Sequence, residues 1–178
     1  MTLLAFVFVA LAVALRLLPH PLHFTPVAAS LLFFGARAPR KWMWAPIAAI
    51  VASDVYLTLF RYKLEFSWLY LGVSVLWYSA ILLLGTLLAK NESALRIGGA
   101  SLAASISFFL ITNGVSPWII PATYTHDMQG VINALAAGVP FFRNTLLSDL
   151  FYTALVFGTP YLLSLTERQP QRDKVATA

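Results

Sequence analysis

Cysteine is absent from the 178-residue sequence, and charged residues are scarce at 11%. Without cysteine the chain has no disulfide, no thiolate metal site and no cysteine nucleophile. Soluble domains carry about 25% charged residues. A chain with 60% hydrophobic residues and a mean hydropathy of +0.78 is therefore typical of an integral membrane protein. Its apolar runs lack the alternating pattern of an outer-membrane barrel.

Motifs of catalysis and energy conversion are missing as well. The sequence contains no GxSxG, no phosphate-binding glycine loop and no carboxylate pair at working distance, so we do not expect an enzyme. Without a Walker A motif the chain cannot itself drive transport with ATP. Basic residues cluster only in loops, where membrane topology explains them, so we expect the lipid bilayer and not nucleic acid as a partner.

Six apolar runs predict a bundle of six transmembrane helices. They cover residues 2–18, 24–37, 42–60, 67–89, 97–114 and 140–165. The second run is short for a full span, which needs about 20 residues. Before the sixth helix we expect a long connector, 115–129, and a short helical piece, 130–139. The chain is thus one six-helix domain over 1–165 with a polar cytoplasmic tail over 166–178.

The placement of basic residues predicts that both termini lie inside. With six spans, the inner segments hold Arg37, Arg40, Lys41, Lys90, Arg96, Arg168, Arg172 and Lys174. The outer side keeps Arg16, Arg61, Lys63 and Arg143. Eight basic residues against four favour an N-in, C-in orientation.

Arg143 and Asp149 are the hardest residues to explain, because both lie in an otherwise apolar run. A charged residue at bilayer depth costs about 2.5–3.5 kcal/mol on insertion scales. Their six-residue offset corresponds to about 240° around a helix, so the two side chains point to different flanks. We expect Arg143 near the outer mouth. Asp149 lies deeper, where we expect a structural role with a hydroxyl or carbonyl of a neighbouring helix.

The N-in orientation brings polar groups of five helices to one outward-facing region. These groups are Arg16, Asp54, Asn113, Arg143 and, less clearly, Tyr70. Loops that carry His20, His23, Trp118, Tyr124 and His126 cover the region. A mostly apolar cavity with a few placed polar groups is what a small-molecule site needs. The sequence therefore predicts substrate binding by Asp54, Tyr70, Asn113, Trp118, Tyr124 and Arg143.

Two other interpretations remain open for these residues. Asp54 and Arg143 could form a buried ion pair that only holds the third and sixth helices together. The three histidines have no metal-ligand spacing, so we expect no dedicated metal site, although one imidazole could be the axial ligand of a metal in an organic cofactor.

Ala10 and Ala14 have the small-xxx-small spacing that allows close helix packing.

Four segments resemble the substrate-binding S-components of energy-coupling-factor transporters, and most of all the BtuM group of cobalamin transporters. The segments are LPHPLHFTPV (18–27), SD (53–54), FFLITNGV (108–115) and PFFRNTLLSDLFY (140–152). The resemblance implies a six-helix fold of the S-component type with an outward-facing vitamin site. By order and spacing it implies that Asp54, Tyr70 and Arg143 contact substrate, with Tyr62 and Tyr78 as competitors of Tyr70.

The resemblance further implies that small residues of the first helix, here Ala10 and Ala14, dock a transmembrane coupling subunit. Some cobalamin-handling members carry a cysteine that ligates cobalt, whereas this chain has none. Cobalamin would then bind without a thiolate, or His20, His23 or His126 would replace it, or the substrate differs.

The leading hypothesis is a vitamin-uptake protein of the bacterial inner membrane, with cobalamin as its first expected ligand and no cofactor of its own. It would act alone or with an energy-coupling-factor module. The alternatives are the transport of another vitamin or a nucleobase-like molecule, and a structural or assembly protein locked by its buried Asp and Arg.

Overall fold

The computed structural model describes residues 1–18, 25–119 and 123–176, with side chains as far as Leu163. Every regular element in these ranges is helical, which confirms the all-α class. The six α-helices are α1 (Thr2–Leu17), α2 (Val27–Arg37), α3 (Trp44–Tyr56), α4 (Trp68–Leu88), α5 (Ala94–Ile119) and α6 (Met128–Ala176). A 3₁₀ turn, Arg40–Trp42, precedes α3, and a π-helical turn, Leu57–Arg61, extends it.

Within the described ranges, four helical segments are long and apolar enough to cross a bilayer. They are Arg40–Arg61, Trp68–Leu88, Ala94–Ile119 and Met128–Leu163. The apolar helices α1 and α2, with 16 and 11 residues, are shorter than the roughly 20 residues of a full span. The chain thus has the helices of a multi-pass membrane protein.

The shortest helix, α2, lies at the centre of the bundle. Nine of its eleven residues, Val27 to Gly35, are buried, and α2 contacts each of the other five α-helices. Phe33 packs edge-on against Phe8 of α1 and Phe157 of α6, with 5.2 Å between ring centroids in both pairs. A helix that is apolar all round is suited to this place, because no face of it must meet water.

Glycines bring α2 and α4 into backbone contact. A Cβ at Gly35 would overlap the carbonyl oxygen of Leu82, and a Cβ at Gly85 would overlap the carbonyl oxygen of Leu32. The two helices therefore cross at a distance that only glycine permits, as at the small-residue interfaces of membrane helices.

The expected C-terminal end of the fifth helix and the expected N-terminal end of the sixth helix are wrong. α5 continues through Pro117 to Ile119, and the expected short piece, 130–139, is the beginning of α6. Pro140, which was taken as a boundary, lies inside a continuous helix. Proline is tolerated in membrane helices because neighbouring groups satisfy the freed carbonyl. Pro140 therefore does not break α6, contrary to what the sequence predicted.

Capping residues fix where α4 and α6 begin. The Ser67 hydroxyl accepts a hydrogen bond from the Tyr70 backbone N–H (3.2 Å) and starts α4. Asp127 accepts hydrogen bonds from the Gly130 backbone N–H (2.8 Å) and the Thr125 hydroxyl (2.6 Å) before α6. Both are preferred N-cap types. These hydrogen bonds, the one from Thr125 foremost, lower the pKa of the exposed Asp127 carboxyl.

Candidate functional site

A cavity of about 650 Å³ lies at the end of the bundle where α1 and α3 end and α4 begins. α1, α2, α3, α4, α5 and α6 all contribute to its wall, together with the segment 57–67 that joins α3 to α4. Its volume lies within the 300–1,000 Å³ that is typical of small-molecule sites. The joining segment contains the π-helical turn and Lys63, whose positive φ of 53° is uncommon for a residue other than glycine.

Three helices meet at one carboxylate in this wall. The Asp54 side chain of α3 forms an ion pair with Arg16 at the end of α1 and accepts a hydrogen bond from the Tyr78 hydroxyl of α4 (2.6 Å). The Arg16 and Asp54 side chains are 15% and 13% exposed. Arg16 Nη1 is buried and has no hydrogen-bond partner among the described residues. A buried unpaired donor costs about 1–3 kcal/mol, so Nη1 remains available to an acceptor.

A second carboxylate, Asp149 of α6, lies in the same wall and is 4% exposed. It accepts a hydrogen bond from the Ser105 hydroxyl of α5 (2.7 Å), which is the kind of partner that the sequence analysis expected. One turn away along both helices, Thr153 donates to Ser101 (3.1 Å). These two buried contacts join α5 to α6.

A smaller cavity of about 290 Å³ shares Tyr70, Phe108 and Thr145 with the larger one. Asn113 lines it and donates from Nδ2 to the Phe109 carbonyl oxygen (2.8 Å). A Cβ at Gly138 would overlap the Asn113 side chain, so this glycine lets α6 approach α5 at the cavity. The shared residues make the two cavities neighbouring lobes of one site.

Of the six expected substrate-binding residues, three line these lobes. Asp54 lies in the larger cavity, Asn113 in the smaller, and Tyr70 in both. The remaining three are Trp118, Tyr124 and Arg143, which line neither. Trp118 is 51% exposed and stacks on His126, with 6.4 Å between ring centroids.

The possible ion pair between Asp54 and Arg143 is not formed. Asp54 pairs with Arg16, because α1 packs on α3 and brings the guanidinium to the end of that helix. Arg143 is exposed and has no ion pair or hydrogen bond within the described ranges. Arg143 and Asp149 do point to different flanks of α6, as their spacing predicts, but Asp149 is the one that reaches the cavity.

Arg16 and Tyr78 belong to the site but were not among the expected substrate contacts. Arg16 was recognised only as one of several converging polar groups, and Tyr78 only as a competitor of Tyr70. Their signal was an ionisable or phenolic group in an otherwise apolar helix. Tyr62, the other competitor, lines the larger cavity too.

Metal ligation finds no support in the ranges that the structure covers, where no three His, Asp or Glu side chains lie close enough to hold an ion. His20 and His23 lie outside those ranges. Ala10 and Ala14 are exposed on α1, so they do not contribute to packing among the described helices.

Comparison with known proteins places the chain in a family. The model of DUF6580, a family of unknown function, matches residues 1–172. This chain belongs to DUF6580. No curated protein and no solved structure matches it. In this DUF6580 member, the two lobes and the Arg16–Asp54–Tyr78 cluster are the features that point to a function.

Proposed function

We propose that this protein is the substrate-binding component of a vitamin-uptake system in the bacterial inner membrane. The observation that carries the proposal is the two-lobed cavity, in which polar groups of α1, α3, α4 and α6 lie in a wall that also contains nine aromatic side chains. A fixed arrangement of a few polar groups in an apolar cavity orients a small ligand and gives specificity. Cobalamin is the first ligand to test, because of the resemblance to S-components; another vitamin or a nucleobase-like molecule is the alternative.

The proposal includes a six-span, N-in and C-in topology of the S-component type. It is supported by the basic residues, eight of which fall on the inner side in this topology. α1 and α2 would cross with the help of their flanking segments. The larger cavity then opens to the outside, where an uptake protein meets its substrate.

An energy-coupling-factor module is the proposed partner, since the chain has no nucleotide-binding motif of its own. Ala10 and Ala14 support this part of the proposal, because both are exposed on one helix at small-xxx-small spacing. Uptake in cells that lack every energy-coupling-factor ATPase would show that the protein works alone.

Binding of cobalamin gives the most direct test. Purified protein mixed with cobalamin should keep the red absorbance through gel filtration. A panel of other vitamins and nucleobases, read out by thermal stabilisation of the protein, covers the alternative ligands. If no member of either set binds, small-molecule binding is the wrong function.

Arg16→Gln and Arg143→Gln form a matched pair of variants for the site. Each removes one positive charge, but only Arg16 lies in the cavity wall. We expect Arg16→Gln to weaken ligand binding by about tenfold or more, as for the loss of a charge-assisted hydrogen bond. Arg143→Gln should bind like the wild type. If instead Arg143→Gln weakens binding and Arg16→Gln does not, the arginine that binds the ligand is Arg143, as the resemblance implies.

A structural or assembly role is a second candidate, and the Arg16–Asp54 ion pair favours it. This pair ties α1 to α3 whether or not a ligand binds. A protein with only this role would bind no ligand from either set of compounds, and Arg16→Gln would change only its stability. A ligand that the wild type and Arg143→Gln bind and that Arg16→Gln binds more weakly would exclude the helix-lock interpretation.

A further inference from the structure

Asp149 has no positive partner among the described residues. Its side chain is 4% exposed and lies in the wall of the larger cavity. Within the described part of the chain, its one hydrogen bond comes from the uncharged Ser105. The other ion pairs join Arg16 to Asp54 and Arg37 to Glu92.

Charged and titratable groups of the neighbouring elements do not neutralise it. α1 contributes Arg16, which is already paired with Asp54 of α3. α4 contributes Tyr70 and Tyr78, and the Tyr78 hydroxyl donates to Asp54. From α5 the wall includes Phe108 and Ile119, neither of which is charged. Arg143 of α6 lies on an exposed flank.

The charge of the cavity wall is therefore unbalanced. Among the wall residues that the structure describes, one basic residue, Arg16, stands against three acidic residues, Asp54, Glu65 and Asp149. A carboxyl group that is removed from water either takes up a proton or keeps its charge beside a positive group. No described side chain supplies that positive group to Asp149, so a positively charged ligand next to Asp149 would stabilise its carboxylate.

Aromatic side chains in the same wall suit such an occupant. Phe66, Tyr70, Trp77, Tyr78 and Phe108 line the larger cavity. The faces of aromatic rings attract organic cations, and most strongly where water is excluded. A carboxylate and several aromatic rings around one space are the chemistry that recognises a flat or alkylated nitrogen cation.

We propose that the larger cavity binds an organic cation, whose positive charge is neutralised by Asp149 and whose body packs against the aromatic wall. This inference rests on the proposed function, because it names the class of ligand of the same site. Buried Arg16 Nη1 is the complementary donor for an oxygen of the ligand.

The test compares two probes of nearly the same shape and different charge. 1-Methylnicotinamide is a flat aromatic cation, and nicotinamide is its uncharged parent. Affinities are measured by titration calorimetry with the purified full chain, its Asp149→Asn variant and, as control, Asp127→Asn. Asparagine at 149 still accepts the Ser105 hydrogen bond and removes only the charge. The control removes the same charge from an exposed position outside the cavity.

We expect the wild type to bind the cation about tenfold or more tightly than the neutral probe, as for one desolvated charge contact. Asp149→Asn should abolish this preference, and Asp127→Asn should keep it. If the wild type binds the cationic and the neutral probe with equal affinity, this result alone overturns the inference. A preference that survives Asp149→Asn overturns the role of Asp149.

Failure of this inference is distinct from failure of the proposed function. If the vitamin panel yields an uncharged or anionic ligand and the cationic probe does not bind, the function stands and the cation is wrong. If cobalamin binds, positively charged aquacobalamin should bind more tightly than uncharged cyanocobalamin, and equal binding overturns the inference. If no compound binds, both proposals are wrong.

Discussion

The ion pair between Arg16 and Asp54 makes a quantitative prediction about stability. We consider three variants: Arg16→Gln, Asp54→Asn and the double variant that carries both. Each single variant leaves one charge without its partner in a wall that is largely shielded from water. The double variant leaves two uncharged groups that can still form a hydrogen bond.

The expected magnitude follows from the burial of the pair. Removal of one partner from a buried ion pair costs about 3–5 kcal/mol. The two side chains are 15% and 13% exposed, so water reaches the remaining charge and we expect about 2–4 kcal/mol for each single variant. Asp54→Asn should be the worse of the two, because it also turns the charge-assisted hydrogen bond from Tyr78 into a weaker, neutral one. The double variant should lose less than the two single variants together.

Equilibrium unfolding in mixed micelles, followed by far-ultraviolet circular dichroism, measures the four free energies of a double-mutant cycle. Residues in direct contact show coupling energies of about 0.5–3 kcal/mol. A fourth variant, Tyr78→Phe, should cost about 1.5–3 kcal/mol through the loss of one hydrogen bond to a charged group. Additive single variants, with a coupling energy below about 0.5 kcal/mol, would refute the Arg16–Asp54 contact.

Three further predictions concern packing, the cavity and pH. Gly85→Ala should lower the free energy of unfolding by about 1–3 kcal/mol through overpacking against α2, whereas Gly72→Ala, where a Cβ meets open space, should be neutral or stabilising. Ala28→Leu should weaken ligand binding about tenfold, because it fills part of the larger cavity, and a ligand that binds as before would contradict the site. The folded-state pKa of Asp127 is lowered. The charged Asp127 carboxylate therefore stabilises the fold fully above its unfolded-state pKa, and this contribution is lost as pH falls through the lower folded-state pKa. The melting temperature of Asp127→Asn should consequently fall less in acid than that of the wild type.

The positions of polar residues along the apolar helices indicate which of these residues share one end of the bundle. A bilayer excludes unpaired polar groups from apolar helices unless they face protein or a cavity. The sequence analysis therefore brought Arg16, Asp54, Asn113 and Tyr70 to one end of the bundle, and all four line the two lobes. No packing detail was needed, because sequence position along each helix already fixes depth.

The partners of these groups could not be predicted in the same way. Which side chains meet at one depth depends on the rotation of each helix and on which helices are neighbours. The spacing of Arg143 and Asp149 showed that they face different flanks but not which flank faces inward. Arg143 was placed at the ligand and Asp149 in the packing, whereas Asp149 lies in the cavity wall. Only the contact of α1 with α3 selects Arg16 for Asp54.

The short central helix connects the fold to the cavity. α2 has 11 residues and rises about 16 Å, whereas α4 beside it has 21 residues and rises about 32 Å. Because α2 is about half as long as α4, it fills the centre of the bundle over only half of the length of α4. The larger cavity lies at the N-terminal end of α2, where Val27 and Ala28 contribute to its wall. Gly35 and Gly85 hold the other half of α2 against α4, so close packing in one half of the bundle and a ligand-sized space in the other follow from the same short segment.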